Sequence, residues 1–148
     1  MIRLADAPFD PGQALADFCR GRTETGAVAS FTGLARAESG RTSVLELEAY
    51  PGFTEKAIAL HEAAARERFG LQDVLIIHRT GAIPPGEAIV FVATAAAHRR
   101  AAFEACDFLM DYLKSRAPFW KKETGPGGAR WIEPTDRDRD DLARWETP

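Results

Sequence analysis

The stretch that most limits how this chain can fold is a strand, a helix and a second strand in close succession. Ala88 to Ala95, AIVFVATA, is an apolar run of strand length and reads as buried on both faces. It leads into Arg99 to Arg116, where a period of about 3.6 residues sets Ala102, Ala105, Leu109, Tyr112 and Leu113 on one side. Arg100, Glu104, Asp107, Asp111 and Lys114 fall on the other. The first side is expected to pack on a sheet and the second to face water. Between them runs an apolar seam of Phe103, Cys106 and Met110, with Arg99 at one end and Lys114 a turn beyond the other. Pro118 cannot continue a helix and pushes Ala117 toward extended geometry. Phe119 to Glu123 is therefore predicted as a strand in which Lys121 shares a face with Phe119 and Trp120 takes the other.

The rest of the chain supplies partners for this unit. Ile2 to Leu4 reads as a short strand, and Asp10 followed by Pro11 opens a helix that runs to about Arg20 and stops at Gly21. Gly26 to Thr32 is a strand of small and β-favouring residues, followed by a polar loop that carries Arg36 and Arg41 over the surface. Val44 to Ala49 alternates Leu45 and Leu47 against Glu46 and Glu48, so the glutamates read as the wet face of a strand rather than as an acid/base pair. A helix follows from an N-cap at Thr54 to Phe69, ended by Gly70; His61 reads as a boundary residue within it. Val74 to Arg79 is a largely apolar strand ending in His78 and Arg79, which could point toward a shared cleft but, with no partner motif, are read as structural. Thr124 to Gly128 is a turn and Arg130 to Glu133 a return strand, with Trp131 packing on the body. A charge-dense tail from 134 to 148 holds one short helix around Asp140 to Trp145.

Residues 1–148 are one domain's worth of chain, enough to bury about 70% of its unfolded surface around a single core. With 28% charged residues and a net charge of −3, the chain is not a general binder of nucleic acid or anionic membranes, so any anion site is local. The N-terminus carries Arg3, Asp6 and Asp10 where a signal peptide needs an apolar run, and no apolar run is long enough to span a membrane. A cytoplasmic location is expected. Cys19 and Cys106 are far apart and form no CxxC pair, so both are read as reduced packing residues.

The candidate chemistry is acid/base, electrostatic or lysine-based. The histidines have no metal-ligand spacing, so no metal is expected, and no cofactor motif, P-loop or serine elbow is present. His98 and Arg99 stand where a strand delivers the chain to a helix N-terminus, a place suited to a phosphate. Lys114 and Lys121 flank the Pro118 corner, where Met110, Phe119 and Trp120 make apolar surroundings able to lower a lysine's pKa. Arg99 and Lys114 would stand roughly 22 Å apart along one helix, at about 1.5 Å per residue. A compact substrate touching both ends therefore requires a second copy of the chain.

These segments together resemble a known family. His98 to Glu123, ending LKSRAPFWKKE, with FTGLAR at Phe31 to Arg36, EAYPGFTEKA at Glu48 to Ala57 and HRTG at His78 to Gly81, is similar to the large, catalytic subunit of molybdopterin synthase. The resemblance extends from about Gly26 to Glu133. It implies an α+β fold of the α/β-hammerhead type, with a mixed or antiparallel sheet, packed helices and a C-terminal hairpin. It further implies a homodimer that binds two copies of a ubiquitin-like small subunit, making a heterotetramer. Each small subunit carries a C-terminal thiocarboxylate. The implied reaction moves sulfur from two such partners to cyclic pyranopterin monophosphate, opening the cyclic phosphate and forming the dithiolene of molybdopterin, with no cofactor.

By the same resemblance, Lys114 and Lys121 match the catalytic lysines, and Arg36, His98 and Arg99 match residues of the anion pocket. Phe31, Met110 and Glu123 match positions lining the site. The tail departs from the family pattern, with Thr135 where relatives can offer an arginine and Arg137 two residues on. The sequence ends in Thr147-Pro148 rather than the Gly-Gly of a sulfur carrier, which assigns it to the enzyme half. Two other readings stay open on the residues alone. One is a non-catalytic module gripping a ubiquitin-like tail between Phe119, Trp120 and the lysines. The other is an unrelated anion-binding or acyl-transfer enzyme built on Arg36 and Arg99.

Overall fold

A computed structural model describes residues 1–37 and 44–146. The predicted position of Arg41 and the terminal Thr147-Pro148 lie outside the described residues. In chain order the elements are β1 (Ile2–Ala5), α1 (Pro11–Cys19), β2 (Ala27–Leu34), β3 (Val44–Ala49), α2 (Phe53–Phe69) and β4 (Asp73–Arg79). They continue with β5 (Gly81–Ile83), β6 (Ala88–Ala96), α3 (Arg99–Ser115), β7 (Phe119–Gly125), β8 (Gly128–Ile132) and α4 (Asp136–Ala143). The fold is α+β of the hammerhead type. Among the described residues its strands divide into two four-stranded sheets, ordered β1-β4-β6-β2 and β5-β3-β7-β8. Among the described strands β1 against β4 is the parallel pair and the other ladders are antiparallel.

The apolar run at 88–95 becomes β6, which lies between β4 and β2 and has both faces covered. One face, with Val90, Val92 and Ala96, packs under α2 and α3 against Ile58, Ala65, Leu109 and Leu113. The other, with Phe91, Ala93 and Ala95, packs under α1 against Phe18. β4 divides in the same way. Val74 and Ile76 join the α3 side and Ile77 the α1 side, so the alternation carries His78 toward α3 and Arg79 toward α1. Buried Thr94 donates its hydroxyl to the Ala102 carbonyl at 2.7 Å, fixing the start of α3 on β6. Gly26 hydrogen-bonds to the Ala96 carbonyl, and any Cβ there would stand 2.0 Å from the Ala97 oxygen. A side chain at that position is excluded by close approach alone.

The amphipathic helix buries the predicted side, including Ala102, Ala105, Leu109, Tyr112 and Leu113. Its polar side is largely solvated, as expected, with Arg100, Glu104, Asp107 and Lys114 exposed, but the tail engages Asp107 and Asp111. Arg144, at the end of α4, reaches Asp111 at 2.7 Å and Asp107 at 3.2 Å, and the Trp145 indole donates to Asp111 at 2.6 Å. The tail therefore docks on α3, and its helix begins at Asp136, earlier than the sequence suggests. Thr135 caps it: the Thr135 hydroxyl accepts from the Asp138 N–H at 3.1 Å and the Asp138 carboxylate accepts from the Thr135 N–H at 3.0 Å.

Three local expectations change. Cys19 is exposed, and only Cys106 packs in the core. Trp131 is 60% exposed and packs edge-on against Trp120 rather than on the body. Thr54 is not the N-cap of α2. Gly52 takes that place, in the left-handed φ region at 81° that favours glycine, and leaves the Thr54 hydroxyl for another use.

Candidate active site

The second sheet meets the first over the C-terminal half of α3. On β7 the alternation places Phe119, Lys121 and Glu123 on the inner face, opposite Ala49, Leu47 and Leu45 of β3. Trp120 and Lys122 take the outer face, opposite Glu48 and Glu46. The two glutamates are thus the wet face of the strand, with Glu46 placed across from a lysine. Phe119 and Trp120 lie on opposite sides of the sheet, so no ligand is gripped between them.

Two spaces adjoin Lys114. The smaller, about 40 Å³, is lined by Lys114, Lys121, His78 and Met110 together with aliphatic side chains of β3, β6 and α3. The larger is an open cleft of about 220 Å³, lined by Arg36, Lys114 and Glu123 with Leu34, Ile83 and Ile132. The fold therefore assembles Arg36, Met110, Lys114, Lys121 and Glu123 at one place. Glu123 is held by Arg130, whose Nη2 donates to its Oε2 at 3.1 Å.

Phe31 lies on β2, 40% exposed. His98 and Arg99 are exposed at the opposite end of α3, where His98 is the N-cap residue and Arg99 the first helical one. Fifteen residues along α3, at about 1.5 Å each, separate Arg99 from Lys114 by roughly 22 Å. Neither His98 nor Arg99 lines the cleft of its own chain.

The surroundings change the basicity of two of these groups. Burial, then the neighbouring Lys114 charge, push the Lys121 ammonium from 10.5 down to about 8, against an upward pull from Asp138. His78 is 4% exposed, and burial holds it at about 4. The Arg79 carbonyl favours its charged form, while Lys121 and Lys114 oppose it. A lysine that exchanges its proton near neutral pH can act as an acid or base, whereas an ordinary one stays charged. Cys106, pushed up to about 12 by burial, is no thiolate nucleophile.

His78 is the site residue that sequence reasoning missed. The available signal was an ionisable residue in register with Val74 and Ile76, two positions onward on the helix-facing side of an apolar strand. Arg79, in contrast, is structural. It faces α1, donates to the Ala82 carbonyl at 3.0 Å and lies 3.6 Å from the Glu87 carboxylate.

A wider cleft of about 360 Å³ lies between α1 and the β1/β4 edge, lined by Met1, Phe18, Arg22 and Ile77. Its Arg22 is committed to Asp73. Among the described residues no group of histidine, cysteine and carboxylate side chains could hold a metal ion. No described helix is long and apolar enough to cross a membrane.

The sequence profile described as MoaE protein matches residues 4–116 of the chain. The chain belongs to the MoaE family. It is 68% identical to the molybdopterin synthase catalytic subunit of Caulobacter vibrioides, over 99% of this chain and 97% of that one. Among solved structures it is similar to the molybdopterin biosynthesis MoaE protein from Burkholderia ambifaria, with 44% identity and a TM-score of 0.85. That match covers 100% of this chain and 99% of the other. Molybdopterin synthase from Staphylococcus aureus is similar at 30% identity and a TM-score of 0.79, covering 88% and 95%.

Proposed function

We propose that the chain works as the catalytic subunit of molybdopterin synthase, with Lys114 and Lys121 as its reacting lysines. The observation that carries this reading is their common cavity, in which Lys121 is brought to a proton affinity near neutral. The substrate is cyclic pyranopterin monophosphate, and the sulfur comes from the C-terminal thiocarboxylate of a ubiquitin-like small subunit. Arg36 and Lys114 supply positive charge to the open cleft for a phosphate. Lys121 exchanges protons as sulfur moves from the partner's acyl carbon to the pterin, and the lysine charges stabilise oxygen as it becomes negative. Met110 supplies an apolar wall, and Phe31 joins the site, like His98 and Arg99, only from the second copy. Glu123, tethered by Arg130, fixes the rim.

The separation along α3 favours a homodimer in which His98 and Arg99 of one copy complete the anion pocket of the other. With one small subunit on each copy the assembly is a heterotetramer, and we place it in the cytoplasm. The separated faces of Phe119 and Trp120 count against a purely binding module.

Turnover tests the reading. The protein, mixed with thiocarboxylated small subunit and cyclic pyranopterin monophosphate, should yield dithiolene product detectable by mass. Binding of the partner without product would favour the module, and binding of a phosphate ligand without the partner would favour an unrelated enzyme. Mixing Lys121→Ala with Arg99→Ala chains should restore part of the activity if the site is shared. Absence of rescue would return the whole site to one chain.

A further inference from the structure

His78 stands with the lysines but has no part in the chemistry above. Its ring stacks on Phe119 with centroids 4.1 Å apart, and its Nδ1 lies 2.9 Å from the Arg79 carbonyl oxygen. A carbonyl oxygen only accepts, so Nδ1 carries the proton and, in the neutral ring, Nε2 is left as an acceptor. The ring lines the small cavity beside Lys114 and Lys121. Both ammonium groups are donors only, the Met110 sulfur is a weak acceptor, and the other lining side chains are aliphatic. Nε2 is thus the strong acceptor among them. The space left, about 40 Å³, has room for about one water.

The two side chains make no direct hydrogen bond across this space. We propose that His78 is a positioning residue for the reactive lysine: its Nε2 accepts from the Lys121 ammonium through the one water the cavity can hold and so fixes where Nζ holds its proton. The inference rests on the reading of Lys121 given above and adds a member to that site. Phe119 holds the plane of the imidazole and Arg79 holds its tautomer, so the acceptor is set in place before a substrate arrives. The charged groups bearing on the pair are Lys114 from α3 and Asp138 from α4, with Arg79 turned to the opposite face of β4. A bond from a cation to a neutral acceptor favours the charged lysine. His78 therefore opposes burial and keeps Lys121 from losing its proton too early.

The test compares His78→Phe, which keeps a ring for Phe119 but no acceptor, with His78→Gln, which returns an acceptor near the place of Nε2. Lys121 is titrated by NMR in protein carrying carbon-13 at lysine Cε, assigned through Lys121→Ala. Turnover is followed against pH in the assembled enzyme. In His78→Phe the Lys121 midpoint should fall by about one pH unit and turnover by about tenfold. His78→Gln should recover most of both. An unmoved midpoint in His78→Phe overturns the proposal even if turnover falls, because a purely structural histidine would give that result. If His78→Phe does not fold, His78→Met, which also lacks a strong acceptor, takes its place. Should the wild type make no dithiolene, the assigned function fails while the titration still decides whether His78 and Lys121 are coupled.

Discussion

Thr54 donates its hydroxyl to the Pro118 carbonyl at 2.9 Å, tying the first turn of α2 to the corner between the two lysines. The same oxygen accepts from the Tyr50 N–H at 2.8 Å, and the side chain is fully buried. Thr54→Val keeps the shape and leaves two backbone groups unpaired, a loss of about 1–3 kcal/mol. Denaturant unfolding should show that loss, and turnover should fall with it because Pro118 sets where Lys121 begins. Thr54→Ser should restore most of both.

Lys121 is held in the fold at a cost. Its folded pKa lies below the unfolded value, so folding releases its proton between the two, and stability rises as pH goes from about 8 to 10.5. At about 1.36 kcal/mol per pH unit, the fall from 10.5 to about 8 costs up to about 3 kcal/mol at neutral pH. Lys121→Met should raise the unfolding free energy at pH 7 by a large part of that amount. It should lose the alkaline rise in stability and make no product.

The histidines predict acid sensitivity. His61 stacks on Tyr112 at 3.7 Å and Phe108 at 4.8 Å, and burial followed by the Arg116 charge lowers it from 6.5 to about 4. His78 has the same direction and range. Both remain neutral in the fold while the unfolded chain takes up protons below 6.5, so stability should be lost as pH falls from 6.5 to 4. His61 is half-buried, and its share, discounted for solvent, is about 1–2 kcal/mol. His61→Phe should flatten that part of the stability profile measured by urea unfolding.

The tail should affect both stability and chemistry. Trp145 packs edge-on against Phe108 at 5.5 Å and Phe69 at 5.9 Å while bonding Asp111, so Trp145→Ala should cost about 2–3 kcal/mol. Asp138→Asn preserves the capping geometry but removes a charge that raises the Lys121 pKa. The Lys121 titration midpoint should move down by about half a unit. Proton-detected titration of that lysine checks it.

Most elements can be read from the sequence because each carries a local reason. Asp10-Pro11 opens α1, Gly70 closes α2, and Pro118 separates α3 from β7. The lysine corner follows from the alternation of Phe119 and Lys121. What the chain does not show locally depends on tertiary contact. The polar stripe on α3 is solvated as it looks, but nothing local shows that Arg144 and Trp145 arrive from the tail to bind Asp107 and Asp111. Thr54 has the composition of an N-cap, yet a positive-φ glycine two residues earlier takes that role and the hydroxyl crosses to Pro118. His78 resembles a strand-end residue, and only the meeting of two sheets turns it toward the lysines. His98 and Arg99 remain apart from the others within one chain, as the length of α3 requires, and Phe31 on β2 lines neither cavity.

Lys114 forms a wall common to the small cavity and the open cleft. An anion settling in the cleft neutralises part of its charge, and that charge is one of the causes lowering the Lys121 pKa. Occupation of one chamber is thereby transmitted electrically to the other, without any movement of the backbone. The protein carries its own occupancy gauge: Lys121 should become more basic when an anion fills the cleft and return when it leaves.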